Sequence, residues 1–164
     1  MKKSFLAVVL CLVWIGSAFG HGDISKLPNS VQITQYKLGL YINPDNLTTR
    51  NNLAMALYRT NQLEEAEKEL RNVLERDPLN FDALDGLGIV LIKVDRDDEA
   101  VEQLTKAVKI NEQDVMVHVH LSVVYEKMKL LDKALSELDK ARSLASDPEE
   151  LEDVEREREL VSGP

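Results

Sequence analysis

A chain of 164 residues is the length of one domain, and its composition, 44% hydrophobic and 30% charged, supports a core under a well-solvated surface and excludes disorder as the default state. The net charge of −9 argues against nucleic-acid partners and against anionic membrane surfaces. With only seven glycines and five prolines, the chain keeps long stretches free of breakers, which favours helices.

Residues 1–20 read as a secretory signal peptide: Lys2 and Lys3 lead, an apolar run follows, and Ala18-Phe19-Gly20 closes it with small residues. The rival reading is an uncleaved anchor, so membrane attachment is expected only if the segment is retained. The apolar run is slightly shorter than the roughly 20 residues a spanning helix needs. Cleavage after Gly20 leaves 144 residues; without Lys2 and Lys3 there are 18 basic groups against 29 acids, a net charge of −11. Cys11, the single cysteine, leaves with the segment, which removes disulfides, thiolate metal sites and cysteine nucleophiles. The short Met-Lys-Lys start suggests a bacterial protein with a periplasmic or secreted destination. A eukaryotic secreted origin stays open, because Asn46-Leu47-Thr48 matches the glycosylation acceptor.

The N-terminal segment 21–46 holds one predicted helix over 30–43, with Val31, Gln35, Leu38 and Ile42 on one face. From there a 34-residue period governs the chain. Leu53, Leu87 and Leu121 keep that interval, as do Ala66, Ala100 and Ala134, and Leu70, Leu104 and Leu138. So do the small trio Ala54, Gly88 and Ser122, the large trio Leu57, Leu91 and Tyr125, and Val73, Ala107 and Ala141. Three windows, 47–80, 81–114 and 115–148, superpose without a gap. Each reads as two helices: Leu84, Leu87, Gly88 and Leu91 make one helical face, and Ala100, Leu104, Ala107 and Val108 make the next after a polar turn at Asp95-Arg96-Asp97. Thr60-Asn61-Gln62 is the corresponding turn in the first window and Asp77-Pro78 its stop. The small column predicts close helix contacts, Ala54 against Ala66 and Gly88 against Ala100. Residues 149–164 form a C-terminal helix and tail: Asp147-Pro148-Glu149-Glu150 is a helix start. Leu151, Val154 and Val161 share a face to cover the last pair, with Glu155, Arg156 and Glu157 toward water.

Through Leu87-Gly88, Leu91, Ala100 and Pro78, and their counterparts Leu53-Ala54, Leu57, Ala66, Leu121-Ser122, Tyr125 and Ala134, the chain resembles tetratricopeptide-repeat (TPR) proteins. It departs from their pattern at the early tryptophan, replaced by Arg50, Leu84 and His118, and at the closing proline, replaced by Glu112 and Ser146. The resemblance implies an all-α fold, a TPR-type right-handed α-solenoid of antiparallel helix pairs, with residues 30–43 as the second helix of an incomplete leading repeat.

It also implies that the first helix of each pair lines a concave groove. On that basis Met55, Ile89 and Val123 form an apolar row, extended by Ile92, Met116 and Val119, and Arg59, Lys93 and Lys127 form a basic row. Asn51 and Asp85 complete the candidate groove. The alternative for the apolar residues is packing against neighbouring helices, and for the cations, complementing helix C-termini. The lysine, arginine and asparagine clamp by which some relatives hold chaperone tails is not supported, since Met55, Asp85, Ile89 and Val119 stand where polar or basic groups would be expected. His118 and His120 point about 200° apart on a helix and cannot share a metal. His21, as a mature N-terminus, could grip copper. No phosphate loop, G-x-S-x-G, H-E-x-x-H or thiol is present in the mature chain, and Glu64-Glu65 and Asp97-Asp98-Glu99 begin second helices where carboxylates suit the dipole. The expected protein is a non-enzymatic, cofactor-free scaffold for another protein or peptide, in an envelope assembly or as a holding chaperone, with self-association left open.

Overall fold

The computed structural model describes residues 23–162; the expected signal peptide, Cys11 and His21 lie outside the described residues. A 3-10 turn, Ile24–Lys26, leads into eight α-helices: α1 (Asn29–Ile42), α2 (Leu47–Arg59), α3 (Leu63–Arg76), α4 (Phe81–Lys93), α5 (Asp97–Ile110), α6 (Val115–Lys127), α7 (Leu131–Leu144) and α8 (Pro148–Ser162). No strand occurs among the described residues.

The 34-residue period is written into the helix ends as well as the core. Asn46, Asn80 and Asp114 cap α2, α4 and α6, accepting the backbone N–H groups of Thr49, Ala83 and Val117 at 2.9, 3.1 and 3.0 Å. Asn46, read above as the start of a glycosylation acceptor, is thus also a helix cap. Each first helix ends at a left-handed residue, Asn61, Asp95 or Lys129, with φ of 59°, 58° and 61°. The next N–H, from Gln62, Arg96 or Leu130, then donates to the carbonyl of Leu57, Leu91 or Tyr125 at 2.9, 3.0 and 2.9 Å, which closes the same turn three times. Acids fill the first turns of α3 and α5, where the helix dipole favours them.

Helices α2 and α3, α4 and α5, and α6 and α7 pack as antiparallel hairpins, and each pair stacks on the next. The periodic residues are the core: Leu53, Ala54, Leu57, Ala66, Leu70, Leu87, Leu91, Ala100, Leu104 and Ala107 are all 2% exposed or less. Where tryptophan is missing, the outer repeats substitute a hydrogen-bonded polar pair. Arg50 donates to Glu69 at 2.5 Å and His118 Nδ1 lies 2.7 Å from Glu137. The middle repeat, with Leu84 and Gln103 at those two places, packs the leucine at 1% exposure instead.

The tightest neighbour of Gly88 is Leu104: a Cβ built there would stand 2.5 Å from Leu104 Cγ and Cδ2. Gly88→Ala should therefore destabilise the fold on the order of 1 kcal/mol, an overpacking cost of about 1–3 kcal/mol less a helix-propensity gain of about 1; a urea midpoint at or above the parent value would refute this. In α1 the expected face is rotated. Gln32 and Ile33 are buried, Tyr36 and Leu40 pack on the core, and Val31 and Ile42 are exposed. The polar Gln32 can be buried because its amide donates to the carbonyls of Ser25 and Leu27 at 3.0 and 2.7 Å.

The last helix departs from the stack. A continuing repeat would lay α8 mainly against α7, but α8 packs mainly on α6, reaches α4, and touches α7 only lightly. It does not pack on α3 or α5. The end of the solenoid is left partly bare, with Leu131 at 61% and Leu135 at 58% exposure.

Candidate functional site

Helices α2, α4 and α6 form a row, α2 against α4 and α4 against α6, with their partners α3, α5 and α7 behind. Packing on two members of that row and on neither α3 nor α5 places α8 across the inner face. Val154, fully buried, clusters with Val115, Val119, Leu138 and Ala141. Val161, 1% exposed, joins the cluster that holds Ile89 and Val123. The helix starts with reciprocal capping: Asp147 accepts the Glu150 N–H at 2.9 Å, and the Ser146 N–H donates to the Glu150 carboxylate at 2.7 Å. Arg158 donates to Glu126 of α6 and Arg142 of α7 donates to Glu155, at 2.7 and 2.6 Å.

At the centre of this contact His120 of α6 is 3% exposed. Its Nδ1 lies 2.6 Å from Asp85 of α4 and its Nε2 3.4 Å from Glu157 of α8. Burial alone would lower its pKa; the two carboxylates outweigh it and raise the value to about 10, so the ring is an imidazolium donating to both. Glu157 is held below the usual carboxylate range, first by the His120 hydrogen bond and then, against burial, by the charges of His120, Arg59 and Arg156. Tyr58 is pushed up to about 12 by burial and by Glu157.

This arrangement redistributes the candidate groove. Asn51, Ile89, Ile92, Val119 and Val123 are buried and present no free surface. Asn51 donates to Asn80 at 2.9 Å, tying α2 to the cap of α4. Asp85 serves His120. Lys127 donates to the Ile92 carbonyl at 2.5 Å and to Asp95 at 2.9 Å, so it closes the C-terminus of α4, the alternative given above for the basic row. Burial works against its charge, yet the Asp95 and Asp97 bonds keep its pKa raised. Met55, Arg59 and Lys93 remain accessible and meet in one cleft of about 490 Å³ that also includes Tyr58, Glu157 and Leu160. Met116 lines a second cleft with Arg156, Glu157 and Leu160. Glu157, expected to face water, is the hinge of both.

Models of the family described as "Tetratricopeptide repeat" match residues 46–76 and 81–114. The chain is a tetratricopeptide-repeat protein. Its helix pairs build the right-handed solenoid of that family. Among solved structures it is similar to MamA MSR-1, at 26% identity over 68% of this chain and 64% of that one, with a TM-score of 0.58. A further MamA crystal structure matches at 22% identity over 94% and 86%, with a TM-score of 0.64. YrrB, described as a TPR protein with an unusual peptide-binding site, matches at 20% identity over 78% and 66%, with a TM-score of 0.65. The chain thus spans a little under two thirds of the MamA MSR-1 chain. No curated protein matches it significantly.

Beneath α8 the inner face is apolar at Val115 and Val119 and holds His120, all buried, and it stays accessible at the basic pair Arg59 and Lys93 around Met55. The features that sequence reasoning missed, His120, Tyr58, Glu157 and Leu160, carry no 34-residue signal. Their counterparts one period away differ in chemistry: Gly86 for His120 and Ile92 for Tyr58. Among the described residues no group of three or more His, Cys, Asp or Glu is placed to hold a metal ion, and no helix is long and apolar enough to cross a membrane.

Proposed function

We propose that this chain is an exported, non-enzymatic scaffold that holds a segment of another protein against the inner faces of α2, α4 and α6. The observation that carries this reading is that the inner face already accepts a helix: α8 seats two valines and a carboxylate on it. The fold family and the peptide-binding site named for YrrB support the same reading. Export rests on the leader-like residues 1–20, and on that ground the partner is sought in the periplasm or outside the cell, as part of an envelope assembly.

The accessible cleft defines the test. A photoreactive residue at Arg59 or Lys93 of the full chain should cross-link a protein from native extract, and the same group at Glu102, on the exposed face of α5, should not. Met55→Glu should abolish the cross-link with far-UV circular dichroism unchanged. Equal labelling from Glu102, or no labelling at either cleft position, would sink the scaffold reading. A glutamate at Ile89 would not serve the same test: Ile89 is 4% exposed, so a charge there would attack the core as well as the cleft.

A further inference from the structure

The groove's present occupant describes the next one. Helix α8 breaks the stacking register to lie on the inner face, and the contact it makes has three anchors: Val154 in the cluster of Val115, Val119, Leu138 and Ala141, Glu157 on His120, and Val161 in the main core cluster. Leu151 and Leu160 remain 40% and 61% exposed, and the contacts of Arg142 with Glu155 and Arg158 with Glu126 are open to solvent. The N-terminus of α8 is capped by Asp147 and Glu150, from its own segment, so it keeps those bonds when it leaves. A second seat exists: the bare end of the last pair, where Leu131 and Leu135 await the helix that stacking would place there. The charge also fits. His120, Arg59 and Lys93 are cations on an acidic protein, and α8 answers them with Glu157.

We propose that α8 is an intramolecular stand-in for the partner, and that the partner is an acidic amphipathic helix presenting two small branched side chains seven residues apart with a carboxylate three residues after the first. This rests on the scaffold reading, and it adds what that reading lacks: the chemistry of the segment bound and a closed state in which the chain blocks its own groove. Partner and α8 compete for one surface, and α8, tethered through residues 145–147, competes at high effective concentration.

The test uses a fluorescein-labelled peptide of residues 148–162 added to the full chain and followed by anisotropy. A variant with α8 undocked, Val154→Asp with Val161→Asp, should bind it at least about tenfold tighter than the parent chain, because the tethered competitor is gone. Glu157→Lys, which sets a cation against His120 at a half-exposed position, should open the groove in the same direction without burying a new charge. The peptide carrying E157K should lose about tenfold or more against either opened variant. Equal binding by parent and opened chains, or no binding by a Glu157→Lys chain whose helicity is intact, would overturn the proposal. No external partner enters this titration, so its failure would leave the cross-linking test of the scaffold reading standing by itself.

Discussion

Leu91→Ala is expected to lower the unfolding free energy by about 2–5 kcal/mol, the range for truncating a fully buried leucine. Leu91 is 0% exposed in α4, the first helix of the middle repeat, and its carbonyl also accepts the Arg96 N–H that closes the turn into α5. In a stacked array each repeat contacts only its neighbours, so the middle pair is the link through which the outer pairs cooperate. The truncation should therefore also lower the cooperativity of urea unfolding, as the first and third pairs lose their common support. A loss below about 1 kcal/mol with an unchanged transition would mean that the hairpins do not depend on one continuous core.

Asp85→Leu should cost on the order of 3 kcal/mol near neutral pH, because it leaves the His120 cation buried with only the longer Glu157 contact. Replacing both partners, Asp85→Leu with His120→Leu, should recover much of that loss, since an apolar pair of similar volume avoids the desolvation penalty. The sign with pH follows from the raised pKa. A group whose folded value, here about 10, lies above its ordinary 6.5 contributes its full stabilisation below about pH 6.5 and loses it as the pH climbs through 10. The stability of the parent relative to the double variant should thus fall steadily from pH 6.5 to 10. The groups facing His120 are Asp85 from α4 and Glu157 from α8, and Arg59 and Arg156 act on Glu157, which is held below the usual carboxylate range and so stays ionised throughout that window. A gap that stays constant from pH 6.5 to 10 would show that His120 is not the titrating charge. Because Glu157 belongs to α8, the same rise in pH should loosen α8, visible as faster amide exchange over residues 148–162 than over α4 or α6.

Much of the architecture was legible before any coordinates. The three windows, the hairpin boundaries and the buried leucine and alanine columns follow from a period that repeats the same local problem three times. A helix pair that cannot bury its face alone solves the problem by stacking on a copy of itself. The caps at Asn46, Asn80 and Asp114 and the left-handed turns at Asn61, Asp95 and Lys129 obey the same interval and could have been read from it. The candidate groove was legible only in outline. Position on a first helix does not tell whether a side chain meets solvent or the next hairpin, and Ile89, Ile92, Val119 and Val123 are buried while Met55, Arg59 and Lys93 are not.

The chain's own sequence determined a helical repeat protein, because hydrophobic period, capping chemistry and turn residues act over a few positions and are each written locally. Tertiary structure alone decided the course of α8. Val154 and Val161 mark one face of that helix but do not name the surface it meets. The choice between the bare end of α7 and the inner face depends on a cation at His120, a carboxylate at Asp85 some 35 residues away and a third group at Glu157. Those three meet only after the repeats have stacked, since their attraction depends on burial that no single helix provides.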